Sequence, residues 1–183
     1  MSAPADARPG AAGARPPGAG GVDVIAEARR QWEERGWVSA APGMAAVTSL
    51  MRAQQIVLAR VEEVLRPRGL TFARYELLML LLFSRRGSLP MRVVSDRLQV
   101  HPTSVTNAVD RLESAGLVRR VPHPSDRRAT LVEATGEGRE AALAATEELN
   151  DRVFADPGLT PGRAEALVDL LTELRRDAGD LDG

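Results

Sequence analysis

The sequence predicts a mainly α-helical fold with a small β wing, and three observations lead there. Apolar residues recur at helical spacing through most of residues 22–178. Glycine and proline fall between those periodic stretches, and only the segment from Leu117 to Val132 reads as paired strands. Residues 1–21 precede the pattern; sixteen of them are Ala, Gly or Pro, which predicts a disordered tail. That tail has four prolines, five glycines and no continuous apolar run, so it reads as neither a transit peptide nor a secretory signal. A first helix is expected from about 22 to 36, and a long second one from about 43 to 65, closed by Pro67 and Gly69. Thr71 is a candidate N-cap for a third helix through Ser84. Gly87 and Pro90 then introduce two short helices and the hairpin, the only sheet expected. Thr135 opens a further helix to about Phe154, Pro157 and Gly158 interrupt it, and Thr160 opens the last, to about Ala178.

The chemistry concentrates between Met91 and Glu133, MRVVSDRLQVHPTSVTNAVDRLESAGLVRRVPHPSDRRATLVE. In the second short helix Val105, Ala108, Val109 and Leu112 fall at i, i+3, i+4 and i+7, one apolar stripe that must face a core. Thr103, Asn107 and Arg111 lie opposite. A helix that buries one face and shows small hydrogen-bonding groups plus an arginine on the other suits a DNA major groove. Asn107 has the two-pronged amide that reads adenine, and Arg111 can reach guanine or phosphate. Thr103, Ser104 and Thr106 are better suited to positioning the helix on phosphates, with capping or plain solvent exposure as the alternative. Pro102 sits in the first turn, where its missing N–H costs nothing. Behind this helix, strands at Leu117–Val121 and Ala129–Val132 flank a His-Pro-Ser-Asp-Arg turn. Pro122 and Pro124 remove two backbone donors, so the tip is expected to leave the ladder and project, carrying Arg127 and Arg128. The arrangement is a winged helix-turn-helix, and its expected partner is double-stranded DNA.

At these residues the chain resembles the MarR family of bacterial transcription regulators. The family's wing pattern, D-x-R-x-x-x-V or L, is matched by Asp126, Arg128 and Val132. The resemblance implies that Asp126 orients Arg128, which enters the minor groove. It extends through FARYELLMLL before the segment and ATGEGREAA after it, covering roughly residues 42–179. It also implies a homodimer whose first and last helices share an interface. In the last helix Ala164, Leu167, Val168, Leu171 and Leu174 make an apolar stripe; the alternative is that the stripe packs within its own subunit. The family holds small anionic or phenolic effectors between its dimerisation helices and DNA-binding lobe. Candidate contacts are Trp37, Arg52, Gln55 and Arg74, with Trp32 and Arg60 nearby in sequence. The extra tryptophan-bearing N-terminal helix is similar to a branch responding to urate, citrate or aconitate.

Composition sets the remaining bounds. Of 183 residues, 22–183 suffice for one domain with a real core: a winged helix-turn-helix lobe at 71–133 and a helical dimerisation region at 22–70 and 134–179. Aromatics make up only 3%, so leucine, valine and alanine must fill that core. No cysteine is present, which excludes disulfides, cysteine-based metal sites and thiol-oxidation sensing. The net charge is only −1, yet Arg85 to Arg128 carries nine arginines against four carboxylates, and Glu133 to Gly183 five against thirteen. A basic lobe joined to an acidic one fits docking on phosphates from one side. All 24 basic residues are arginine, consistent with GC-rich codon usage. The longest apolar run, Leu77 to Phe83, is seven residues, far short of the ~20 that span a bilayer, so a soluble cytoplasmic protein without membrane contact is expected. Only two histidines occur, and G-x-S-x-G, G-x-x-x-x-G-K and H-E-x-x-H are all missing, so no cofactor, metal or enzymatic activity is expected. The expected function is a ligand-responsive repressor on a pseudo-palindromic operator; a ligand-independent architectural winged-helix protein and a small hydrolase are the competing readings.

Overall fold

The computed structural model describes residues 22–126 and 129–181. The tail at 1–21 and the wing residues Arg127 and Arg128 lie outside the described residues. The chain divides into two compact units, Met1–Arg52 and Ala53–Gly183.

In the first unit α1 (Val24–Glu34) begins where the Asp23 carboxylate accepts the backbone N–H groups of Ile25 and Ala26, at 3.0 and 3.2 Å. It stops at Gly36, whose φ of +83° suits glycine. Trp32 and Trp37 meet edge to face, ring centres 5.1 Å apart. The long helix α2 (Ala41–Leu65) starts two residues before Gly43, because Pro42 fits the first turn of a helix.

The second unit takes up the rest of α2 and a single 3-10 turn (Arg66–Arg68). It continues with α3 (Phe72–Phe83), β1 (Ser88–Pro90), α4 (Met91–Leu98) and α5 (Pro102–Ser114). Next come β2 (Val118–Pro122), β3 (Thr130–Ala134), α6 (Gly136–Leu149), a π-helical turn (Asn150–Phe154) and α7 (Pro161–Asp177). Thr71 and Thr135 cap α3 and α6 as their sequences predict, accepting from the N–H groups of Arg74 and Gly138.

The sheet departs from expectation twice. It has three strands in the order β1-β3-β2, all antiparallel, so the wing hairpin gains a third strand that the sequence did not mark. Ser88, Leu89 and Pro90 pair with Glu133, Val132 and Leu131, covering the β3 edge that a bare hairpin would leave open. And the strand runs one residue past the expected Val121: Pro122, paired with Thr130, is the last residue of β2 before the tip leaves the ladder. Proline is tolerated there because β2 is an edge strand whose outward N–H needs no partner.

One core holds the unit together. Val61, Val64 and Leu65 of α2 join Leu77, Leu78 and Leu81 of α3, Val94 of α4, and Val105, Val109 and Leu112 of α5. Val118 and Val132 close it from the sheet, and Ala142, Ala145 and Leu149 from α6. The Tyr75 hydroxyl, the polar end of a buried ring, lies 2.9 Å from Thr146 Oγ1. Gly138 lets α6 close on the wing: a Cβ there would stand 1.9 Å from the Leu117 carbonyl oxygen. Among the described residues no helix is long and apolar enough to cross a membrane.

Candidate nucleic-acid interface

Two helices and a hairpin form the candidate interface. The turn between α4 and α5 depends on Gln99, the only non-glycine described residue at positive φ, +53°. Its amide N–H closes α4 on the Ser95 carbonyl. Ser95, itself buried, donates from its hydroxyl to the Val100 carbonyl at 2.8 Å. This satisfies backbone groups in a turn that must be tight, and α5 leaves it with its first residues pointing outward.

Along α5 the burial follows the predicted stripe. Val105, Val109 and Leu112 are buried and Ala108 is half-buried, whereas Pro102, Thr103, Ser104, Thr106, Asn107 and Arg111 are all exposed on the other side. Asn107 and Arg111 share a shallow concavity with Asp110 and Ser114. The Thr106 hydroxyl donates to the Pro102 carbonyl at 3.0 Å, leaving only its lone pairs to receive a partner. His101 caps the helix, its Nδ1 accepting the Thr103 N–H at 3.2 Å.

The wing is fastened to the helix it serves. Arg120 of β2 donates from its guanidinium to the Glu113 carboxylate and to Asp110 Oδ1, the latter at 2.5 Å, and its backbone N–H donates to Glu113 Oε1 at 3.0 Å. The Asp110 hydrogen bond chiefly, with Glu113 adding to it against a burial penalty, holds this guanidinium more firmly protonated than a free arginine. Arg119 pairs with Glu133, its cross-strand neighbour, at 3.0 Å. These two arginines stood among the basic charges assigned to the lobe. The structure engages both with acids of their own chain, a partnership the charge count missed and the strand register could have exposed.

At the wing tip Asp126 is exposed, and its backbone carbonyl accepts the Ala129 N–H at 3.1 Å. Since Arg127 and Arg128 lie outside the described residues, their geometry toward Asp126 does too. Of the effector candidates, Trp37 and Arg52 belong to the first unit, and Gln55 and Arg74 to the second. Arg74 donates from Nη1 to the Gly69 carbonyl at 2.8 Å, and Arg60 from Nη2 to the Asp156 carbonyl at 2.7 Å, so both fasten helix ends. Among the described residues no cluster of His, Cys, Asp and Glu could hold a metal ion.

A half-buried helix with an exposed polar face, anchored beside a two-stranded wing, defines a winged helix-turn-helix regulator. Comparison with known proteins gives the family. The MarR family model matches residues 68–129. The chain is 49% identical to Sco5413, a MarR family transcriptional regulator from Streptomyces coelicolor, over 78% of this chain and 99% of that one, with a TM-score of 0.70. It is 27% identical to Sco3205 of the same organism, solved in complex with DNA, over 72% and 84% of the two chains, with a TM-score of 0.63. Among curated relatives, the HTH-type transcriptional regulator FarR of Neisseria gonorrhoeae is 27% identical over 129 residues, 69% of this chain and 86% of FarR. The chain belongs to the MarR family; it is a DNA-binding transcriptional regulator and not an enzyme.

Proposed function

We propose that the protein is a cytoplasmic, ligand-responsive repressor that binds a pseudo-palindromic operator as a homodimer. The observation that carries this reading is the pairing of an exposed recognition face on α5 with an uncovered apolar stripe on α7. On α7 Leu167, Val168 and Leu174 keep 43, 60 and 56% of their surface, and no residue of this helix is buried. Apolar surface concentrated on one helix calls for a partner, and a second copy supplies a second recognition helix at fixed spacing. In this reading Asn107 and Arg111 read bases, while Pro102, Thr103, Ser104 and Thr106 seat the helix against phosphates. The wing, with Asp126, Arg127 and Arg128, reaches the minor groove. Ala164 and Leu171 complete the dimer seam. A bound dimer covers promoter DNA that polymerase needs, which favours repression. Residues 22–70 and 134–179 would then serve dimerisation, and 71–133 DNA.

The proposed effector is a small anionic or aromatic molecule. Guanidinium groups pair with carboxylates bidentately, which makes Arg52 and Arg74 the candidate charge partners. Gln55 offers an amide and Trp37 an indole face. The test is a footprint on the DNA upstream of the protein's own gene, with and without citrate, aconitate, urate and neutral phenols. Two protected half-sites about one helical turn apart, ~10 bp, and their release by an anion are expected. A single asymmetric half-site at every protein concentration would refute the dimeric reading. Indifference to every compound would remove the effector.

A further inference from the structure

The two histidines of the chain, His101 and His123, occupy corresponding posts at the two elements that reach DNA. His101 precedes α5, and its Nδ1 accepts the backbone N–H of Thr103 at 3.2 Å. His123 opens the wing turn, and its Nδ1 accepts the N–H groups of Ser125 and Asp126, at 3.3 and 3.1 Å. The Ser125 hydroxyl lies 3.4 Å from the same nitrogen. A backbone N–H can only donate. Each Nδ1 must therefore present a lone pair, which places the ring proton on Nε2 and requires the neutral imidazole. Serine, threonine, aspartate or asparagine would supply the same acceptor at a helix start or turn without this condition. Here both elements are tied down by the one side chain that changes charge between pH 5 and 8.

We propose that His101 and His123 are positioning residues that hold the start of the recognition helix and the wing turn in their DNA-binding form only while neutral, so that acidification weakens DNA binding. The inference rests on α5 and the wing being the DNA-contacting surface. A proton on Nδ1 would turn each acceptor into a donor facing donors. At α5 it would also add positive charge to the positive end of the helix. The sign follows from the acceptor role: added protons can only weaken these two anchors and with them DNA binding. Beside the start of α5 stand Arg92 and Asp96 of α4, which line one hollow with Pro102 and Thr106, and Asp180, whose backbone carbonyl accepts from Gln99 Nε2 at 3.1 Å. Near His123 are Asp126 in its own turn and Arg119, Arg120 and Glu133 further down the ladder; Arg127 and Arg128 lie outside the described residues. Among the described residues no ion pair includes either imidazole. A direct phosphate contact would act oppositely, drawing an imidazolium to DNA and raising affinity in acid.

The test uses the full chain and a duplex selected by the protein from random sequence at pH 8. Its dissociation constant is read by fluorescence anisotropy from pH 8 to 5.5 at fixed ionic strength. Sedimentation and circular dichroism at pH 5.5 establish that assembly and fold persist. Loss of one cap corresponds to roughly fivefold, so the wild type should weaken tenfold or more across this range. His101→Ala and His123→Ala should be weak at every pH. His101→Asn and His123→Asn restore an acceptor that does not titrate, so they should recover the affinity that alanine loses, and the double asparagine variant should be flat with pH. A flat wild-type profile, or affinity that rises in acid, would overturn the proposal. So would a pH response surviving in the double asparagine variant, which would assign it to another group such as Glu76, whose carboxyl burial pushes up in the same lobe. Failure to select any duplex at pH 8 would overturn the interface beneath the inference as well.

Discussion

Replacing Leu167 and Leu174 with glutamate tests the assembly where the magnitude can be worked out. The two residues lie seven apart on α7, on one face, and retain 43 and 56% of their surface within one subunit. Full burial of a leucine is worth about 1.5 to 3 kcal/mol, so roughly half remains to be gained at an interface, about 1 kcal/mol each. In the proposed dimer, two-fold symmetry doubles every contribution. Four leucines therefore supply about 4 kcal/mol, and with Val168 on both copies the stripe supplies about 6 kcal/mol. The double variant forfeits the leucine share and puts four carboxylates into an apolar seam, a further cost unless they stay in water. The dimer dissociation constant should rise at least about a thousandfold, the equivalent of ~4 kcal/mol. Neither residue is buried in its own chain, so the monomer should keep its circular dichroism spectrum. Leu171 is a poorer choice because it is half-buried and a charge there would also strain the fold. Sedimentation velocity from about 1 to 50 μM reads the outcome against the −8.2 kcal/mol of a micromolar dimer. An unchanged dimer with undiminished DNA affinity would show that α7 is not the seam.

Three further outcomes can be checked. Asn107→Ala should relax base preference at one operator position by about 1 to 3 kcal/mol and leave binding to random duplex nearly unchanged; equal loss on both would reduce Asn107 to a positioning contact. Gly138→Ala would set a Cβ 1.9 Å from the Leu117 carbonyl oxygen, and urea unfolding should show at least about 2 kcal/mol of lost stability; a neutral result would contradict the close approach of α6 to the wing. Arg120→Ala should cost about 1 kcal/mol of stability, since its carboxylate partners are largely solvated, yet weaken operator binding through a loosened wing; loss of stability without loss of affinity would mean that the wing keeps its own orientation.

The recognition helix was legible because its constraint is local. Val105, Val109 and Leu112 must share a face at helical spacing, and the polar residues between them are left outside. Caps were legible for the same reason: Thr71 and Thr135 act on N–H groups three residues away. What escaped depends on distant partners. Ser-Leu-Pro has no alternation to mark it as β1, and it becomes a strand only because β3 offers an edge more than forty residues later. Arg119 and Arg120 read as DNA-facing charges until the ladder brings Glu133, and the helix Asp110 and Glu113, within reach. The histidines read as poor catalytic material. Their role at the caps depends on which ring nitrogen meets a backbone N–H, which a sequence does not carry.

Internal pairing also decides how the lobe should respond to salt. Nine arginines between Arg85 and Arg128 would suggest a broad phosphate-binding surface. Each neutralised phosphate releases counterion, so affinity should fall steeply with salt in proportion to the arginines that meet DNA. Arg119 and Arg120 are already committed to carboxylates and can contribute only by giving those up. Arg92 lies 3.8 Å from Asp96 with both side chains mostly in water, a pair too weak to hold it back. Among the described residues Arg85, Arg86, Arg97 and Arg111 enter no ion pair and stay fully available. The two paired arginines instead fasten the wing, Arg119 across the ladder and Arg120 to the recognition helix, so that two of the nine serve shape. In the proposed complex, affinity should then rest on the guanidiniums not committed to carboxylates, and specificity on the angle at which α5 and the wing meet the duplex.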